Sequence, residues 1–245
     1  MIRHTSRYTL PLIAVLIAVL GAVTGAVAVF SYDRSATSGG PDRARIERVV
    51  HDYVLAHPEI IPEAMQRLQD SESGKAVAAN SDAITTPFGS AWAGNAKGDV
   101  TVVEYFDYNC GYCRASLPMV ARMLQRDPKI RIVYRDLPIL SEESRVAARA
   151  SLAAASQGKF MAFHDALYAA GPLNDTTIAT AAARAGVNVR NVDTKPLDAE
   201  INRNLETASK LGMTGTPSWV IGNRVLSGAL PIEELEKAIA AARGR

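Results

Sequence analysis

The sequence predicts an α/β domain carried behind an N-terminal membrane segment and a short helical extension. Three observations predict it. Strand-like and helix-like runs follow one another over residues 100–242 as strand, helix, strand, helical block, strand, strand, helix. Residues 10–30 are apolar and uncharged. Between these regions lie two helical patterns with apolar residues three and four apart. The opening strand-helix-strand suggests a parallel βαβ unit, and the end reads as an antiparallel hairpin plus helix.

Arg3, His4 and Arg7 precede the apolar segment. Its 21 residues, at about 1.5 Å each in a helix, span about 31 Å, close to one hydrocarbon core. A cleaved signal usually has a shorter apolar region of about 7–15 residues, although Ala26-Val27-Ala28 would serve as a small-residue cleavage site. The length favours a retained transmembrane anchor over a removed signal. Residues 1–9 then form a basic cytoplasmic stub, and the rest is exported to the periplasm, where disulfides persist.

Residues 31–45 are rich in Ser, Gly and Asp and read as a linker. In residues 46–72, Ile46, Val49, Val50, Tyr53 and Val54 share a stripe, as do Ile60, Ile61, Ala64, Met65 and Leu68. His57-Pro58 interrupts the run, so it reads as two short helices. The stripe must be buried somewhere, against this chain or against another copy in a homo-oligomer. Residues 73–86 are small and polar and read as a second linker.

The catalytic domain is expected over residues 87–245. Residues 100–106 are a β-rich run, and residues 130–134 are a second. Between them, residues 112–125 place Leu117, Val120, Ala121 and Leu124 on one helical face. An Ala-rich helical block covers about residues 140–211. Residues 218–221 and 224–227 flank Gly222-Asn223 as a hairpin. A last helix follows Pro231.

The 245 residues, 48% of them hydrophobic, suffice for one domain with a short appendage. Charge is nearly balanced, 27 basic against 25 acidic residues, which argues against a dedicated nucleic-acid surface. The two cysteines, Cys110 and Cys113, enclose too little chain to add much stability when bridged, so their purpose reads as chemical. They sit where a strand hands over to a helix. Unpaired N–H groups and the positive end of the helix dipole there favour a thiolate. Cys110 is expected to be the nucleophile and Cys113 the resolving thiol. Zinc wants three or four ligands, and no histidine lies near the pair in sequence. Arg114 stands where a haem-attachment motif needs His.

Glu104 lies in an otherwise apolar strand. A partly buried carboxylate there would have a raised pKa and could take the proton of Cys113. Strand alternation also allows a solvated Glu on the outer face. Thr216-Pro217, taken alone, reads as an ordinary turn.

The segment Phe106-Asp107-Tyr108-Asn109-Cys110-Gly111-Tyr112-Cys113 resembles the active-site segment of DsbA-like exported thiol-disulfide oxidoreductases. Gly215-Thr216-Pro217-Ser218 resembles the cis-proline loop of that family, and the helical block resembles the insertion in its thioredoxin-like fold. The resemblance implies a cis Pro217 beside the disulfide and a Thr216 backbone offered to an extended substrate peptide. It also supports the acidic role of Glu104. Gly111-Tyr112 differs from the Pro-His of the strong oxidant. Together with Thr-Pro and the helices before the domain, it looks more like the isomerases of the same compartment.

The expected activity is therefore the making, breaking or reshuffling of disulfides in exported proteins, with no metal or organic cofactor. A redox partner, expected in the membrane, has to reset the pair. Two readings stay beside it: a peptide-binding chaperone on a thioredoxin scaffold, and a dithiol copper handler.

Overall fold

A computed structural model describes Gly21, Thr24 and residues 41–190 and 192–244. The membrane segment expected over residues 10–30 lies outside the described residues, apart from Gly21 and Thr24, which are helical. No helix among the described residues is long and apolar enough to cross a membrane.

The chain divides into two compact units, up to Met65 and from Gln66 onward. The first holds α1 (Pro41–Ala56) and the start of α2 (Ile60–Ala79). The linker expected over residues 31–45 is thus corrected from residue 41. Proline is tolerated in a first helical turn, where its missing N–H has no intrahelical partner to lose, and Asp42 complements the helix dipole there. An Arg43–Glu47 pair at 2.9 Å supports the next turn. The break falls at His57-Pro58, since proline disfavours a helical residue before it. The apolar stripe is open to solvent in the single chain: Ile46, Val49, Val50, Tyr53, Ile61 and Met65 are 49–67% exposed.

The linker expected over residues 73–86 is also corrected. α2 continues to Ala79, and α3 (Ser81–Thr85) follows at once. The small residues here do favour a loop by type. However, Val77 and Ile84 each bury a side chain among Val103, Tyr105 and Val133, and helical turns keep them there. The Asn80 amide donates to the Ala76 carbonyl at 2.8 Å across the junction.

The second unit is built on β1 (Trp92–Gly94), β2 (Val100–Phe106), β3 (Ile130–Asp136), β4 (Ser218–Ile221) and β5 (Arg224–Ser227), in sheet order β1-β3-β2-β4-β5. β2 pairs parallel with β3 through the crossover α4 (Gly111–Arg126). It pairs antiparallel with β4, which turns back as β5. β1 is an antiparallel edge strand beside β3 that the sequence pattern does not announce. Between β3 and β4 come α5 (Glu142–Ser156), α6 (Phe160–Ala169), α7 (Asp175–Ala185) and α8 (Lys195–Lys210); α9 (Ile232–Arg243) closes the fold.

Alternation along β2 divides the core. Val102 and Phe106 join the cluster with α4, α6 and α9, while Val103 and Tyr105 join Val77, Ile84, Ala208 and Leu211 on the other face. A buried Arg135 at the end of β3 ties this second face together. Its guanidinium donates to Glu200 on α8 and to the backbone carbonyls of Ile84 and Thr86.

Candidate active site

β2 ends in the turn that delivers the cysteines. The Asp107 carboxylate accepts the N–H groups of Asn109 at 2.8 Å, Ile139 at 2.9 Å and Leu140 at 3.1 Å. This stitches the turn to the segment after β3. The Asp107 carbonyl accepts the Cys110 N–H at 3.0 Å. Cys110 is the N-cap of α4, in extended backbone conformation. Its sulfur accepts the Cys113 N–H at 3.4 Å, so one orphan donor of the first helical turn is met by the thiol group.

Both cysteines are free thiols. The Cys110 S–H donates to the carbonyl of Thr216 at 3.2 Å. Both are buried, Cys110 at 6% exposed and Cys113 at 1%, so Cys110 is the more accessible of the two. Burial pushes the Cys113 thiol well above its ordinary value. Glu104, where it is ionised, and the neighbouring Cys110 act in the same sense, against a backbone hydrogen bond at Asp107. Tyr112, between the cysteines, is 70% exposed.

Glu104 lies on the inner face of β2 and is buried, not solvated. Its register partners are Tyr134 and Trp219, and neither neighbour is cationic. Burial raises its carboxyl to about 8. Its Oε2 has no hydrogen-bond partner. Such a group can hold a proton at neutral pH and exchange it without first breaking an ion pair.

The Thr216–Pro217 peptide is cis, and Pro217 is buried. Ser218 Oγ donates to the Gly215 carbonyl at 2.7 Å, and the Gly228 N–H donates to the Pro217 carbonyl at 2.8 Å, fixing the loop on both sides. Thr216 turns its carbonyl onto Cys110. Cys110, Cys113, Glu104, Thr216 and Pro217 therefore converge on one end of the sheet. Sequence reading missed Asp107 and gave Tyr108 no chemistry. An Asp two residues before an Asn in a strand-to-helix turn is a turn signature that could have flagged Asp107. Among the described residues no cluster of three or more His, Cys, Asp or Glu side chains could hold a metal ion.

The DSBA-like thioredoxin domain model matches residues 101–240. A second model, the N-terminal domain of the copper resistance protein ScsC, matches residues 42–73. Among solved structures, a linker-deletion mutant of Proteus mirabilis ScsC is 26% identical and superposes with a TM-score of 0.66, covering 84% of this chain and 96% of that one. A thioredoxin-like oxidoreductase from Silicibacter pomeroyi is 40% identical with a TM-score of 0.63, covering 67% and 98%. Among curated proteins, the Na(+)/H(+) antiporter NhaA 1 of Salinispora arenicola is 32% identical over 156 residues, 61% of this chain. The chain spans about a quarter of the length of the curated relatives it matches, 24%.

Proposed function

The chain belongs to the DSBA-like thioredoxin domain family, and from that premise we propose that it exchanges disulfides with exported proteins in the periplasm through Cys110 and Cys113. The observation that carries the reading is the free thiol of Cys110, capping α4 and facing the Thr216 carbonyl, with Cys113 buried behind it.

In the reducing direction, Cys110 loses its proton to solvent and the resulting thiolate attacks a substrate disulfide. One substrate sulfur leaves as a thiolate and the other stays bonded to Cys110. In the fraction of molecules whose Glu104 carboxyl is ionised, Cys113 gives its proton to Glu104 and attacks the Cys110 sulfur, closing the enzyme disulfide and releasing the second substrate thiolate. Oxidation of a substrate dithiol runs the same steps backward. In isomerisation the first substrate thiolate attacks a new site, and Cys113 resolves only stalled complexes. A redox partner, in our reading a membrane protein, resets the pair. The test is trapping. Cys110→Ser abolishes exchange, and Cys113→Ser accumulates mixed disulfides visible by mass spectrometry; trapping through Cys113 instead would reverse the two roles.

The direction depends on assembly. We read residues 46–72 as a self-association segment, because the stripe of Ile46, Val49, Val50, Tyr53 and Ile61 is open in the single chain and the segment matches the ScsC N-terminal model. Several copies of Cys110 around one misfolded substrate suit reshuffling. Light scattering on residues 41–245 should give an oligomer, and Val49→Glu with Ile61→Glu should give monomers with less activity on a scrambled disulfide substrate. A wild-type monomer would leave a monomeric oxidase or reductase as the reading.

The same match, to the N-terminal domain of a copper resistance protein, favours a second reading in which the reduced dithiol binds a soft metal ion. Titration of the reduced chain with Cu(I), with Cys110→Ser as control, separates it from the first.

A further inference from the structure

Behind the cysteine turn lies a set of buried polar groups that the exchange chemistry does not use. The Tyr108 hydroxyl donates to Ser151 Oγ at 3.2 Å, and Ser151 donates in turn to Asp136 Oδ2 at 3.1 Å. Tyr108 has only one proton to give. Its 3.2 Å contact with His164 Nδ1 is therefore made with the imidazole as donor. The chain of donors runs one way, from His164 on α6 through Tyr108 in the turn after β2 and Ser151 on α5 to Asp136 at the end of β3. Burial keeps His164 neutral, pushed down to about 3. This arrangement puts its single ring proton on Nδ1, and Nε2 is left without a partner.

Tyr168, also on α6, adds a second grip. Its ring lies 5.0 Å from that of Tyr108 and 4.9 Å from His164, and its hydroxyl donates to the Asp107 carbonyl at 3.2 Å. That oxygen is the one that accepts the Cys110 N–H at 3.0 Å. The Asp107–Tyr108 backbone is thus held from the front by Cys110 and from behind by two helices of the insertion.

We propose that Tyr108 and Tyr168, backed by Ser151 and His164, are positioning residues through which the helical insertion sets the dithiol–disulfide balance of Cys110 and Cys113. This rests on the redox reading above. Closing the Cys110–Cys113 bond draws the two sulfurs to about 2.05 Å, and Cys110 is tied to the turn through its N–H bond to the Asp107 carbonyl. A hydrogen bond equally good in both redox forms leaves the equilibrium untouched, and one better in either form moves it by the difference. The Tyr168 and Cys110 donors share a single oxygen, so the geometry of one is tied to the position of the other.

The experiment uses the full chain in detergent, equilibrated in glutathione redox buffers, with oxidised and reduced forms counted by mass after alkylation. Tyr108→Phe and Tyr168→Phe each remove one oxygen and keep the ring. Each should shift the equilibrium constant by about threefold or more. Ser151→Ala should shift it in the same direction as Tyr108→Phe, and the Tyr108/Ser151 double variant should do little more than the larger single. An unchanged constant with a lower thermal midpoint in all three would overturn the proposal and make the cluster purely structural. Should a tyrosine variant fail to fold, Ser151→Ala decides alone. A wild-type pair that forms no disulfide in any buffer would instead remove the redox reading beneath it.

Discussion

Glu104 shows how one side chain couples chemistry to stability. Its folded-state value of about 8 lies above the 4.5 of an exposed glutamate, and burial is the cause. The folded protein therefore holds a proton that the unfolded chain has released. The stability this contributes is fully present below the unfolded value and is lost as pH rises through the folded one. Urea unfolding of the wild type should grow easier from about pH 5 to about pH 9, and Glu104→Gln should flatten part of that slope. The same variant should slow exchange by about 10²-fold, since a proton-relay group commonly contributes that much. A wild-type slope no steeper than the variant's would show that the carboxyl is ionised throughout. The position of Glu104 was readable in the sequence, because a lone carboxylate in an apolar strand just before Cys110 is conspicuous. Its burial was not, since alternation allowed either face. The Tyr108 bonds were out of reach, because their partners Ser151 and His164 lie 43 and 56 residues away and nothing local marks them.

At the level of elements, the interior is held by a charged group that no pattern revealed. Arg135 belongs to a strand that reads as hydrophobic, yet its guanidinium binds Glu200 and two backbone carbonyls near α3. Arg135→Met would leave the Ile84 and Thr86 carbonyls without this donor and Glu200 with Arg203 alone. It should cost about 3 kcal/mol in denaturant unfolding, toward the low end for a broken buried pair. The low end is expected because Arg203 also reaches Glu200, at 3.1 Å. Adding Glu200→Gln should recover part of the loss; a double variant as destabilised as the sum of the singles would contradict this. The long strands, α4 and the closing hairpin were legible through apolar periodicity and turn residues. β1 was not, because three residues are too few for alternation to show. α3 and the end of α2 were hidden by small polar residues, and the contacts of Val77 and Ile84 with the sheet outweigh that local composition.

The molecule as a whole assembles its site from distant parts of the chain. β2 is flanked by β3, its near neighbour in sequence, and by β4, more than a hundred residues on. The Cys110 sulfur meets a carbonyl 106 residues away. A chain ended at residue 210 keeps both cysteines and loses β4, β5, α9 and the Thr216–Pro217 loop. It should exchange with glutathione no faster than a short peptide bearing Cys-Gly-Tyr-Cys; retention of the full-length rate would show that the N-terminal half suffices. The separation also matters while the protein is being made. At about 5–20 residues per second, Thr216 leaves the ribosome some 5–20 s after Cys110. For that interval the two sulfurs belong to a nascent polypeptide that still lacks the Thr216 carbonyl and the β4 strand beside β2. They are then ordinary thiols, open to whatever oxidant or stray disulfide surrounds the growing chain.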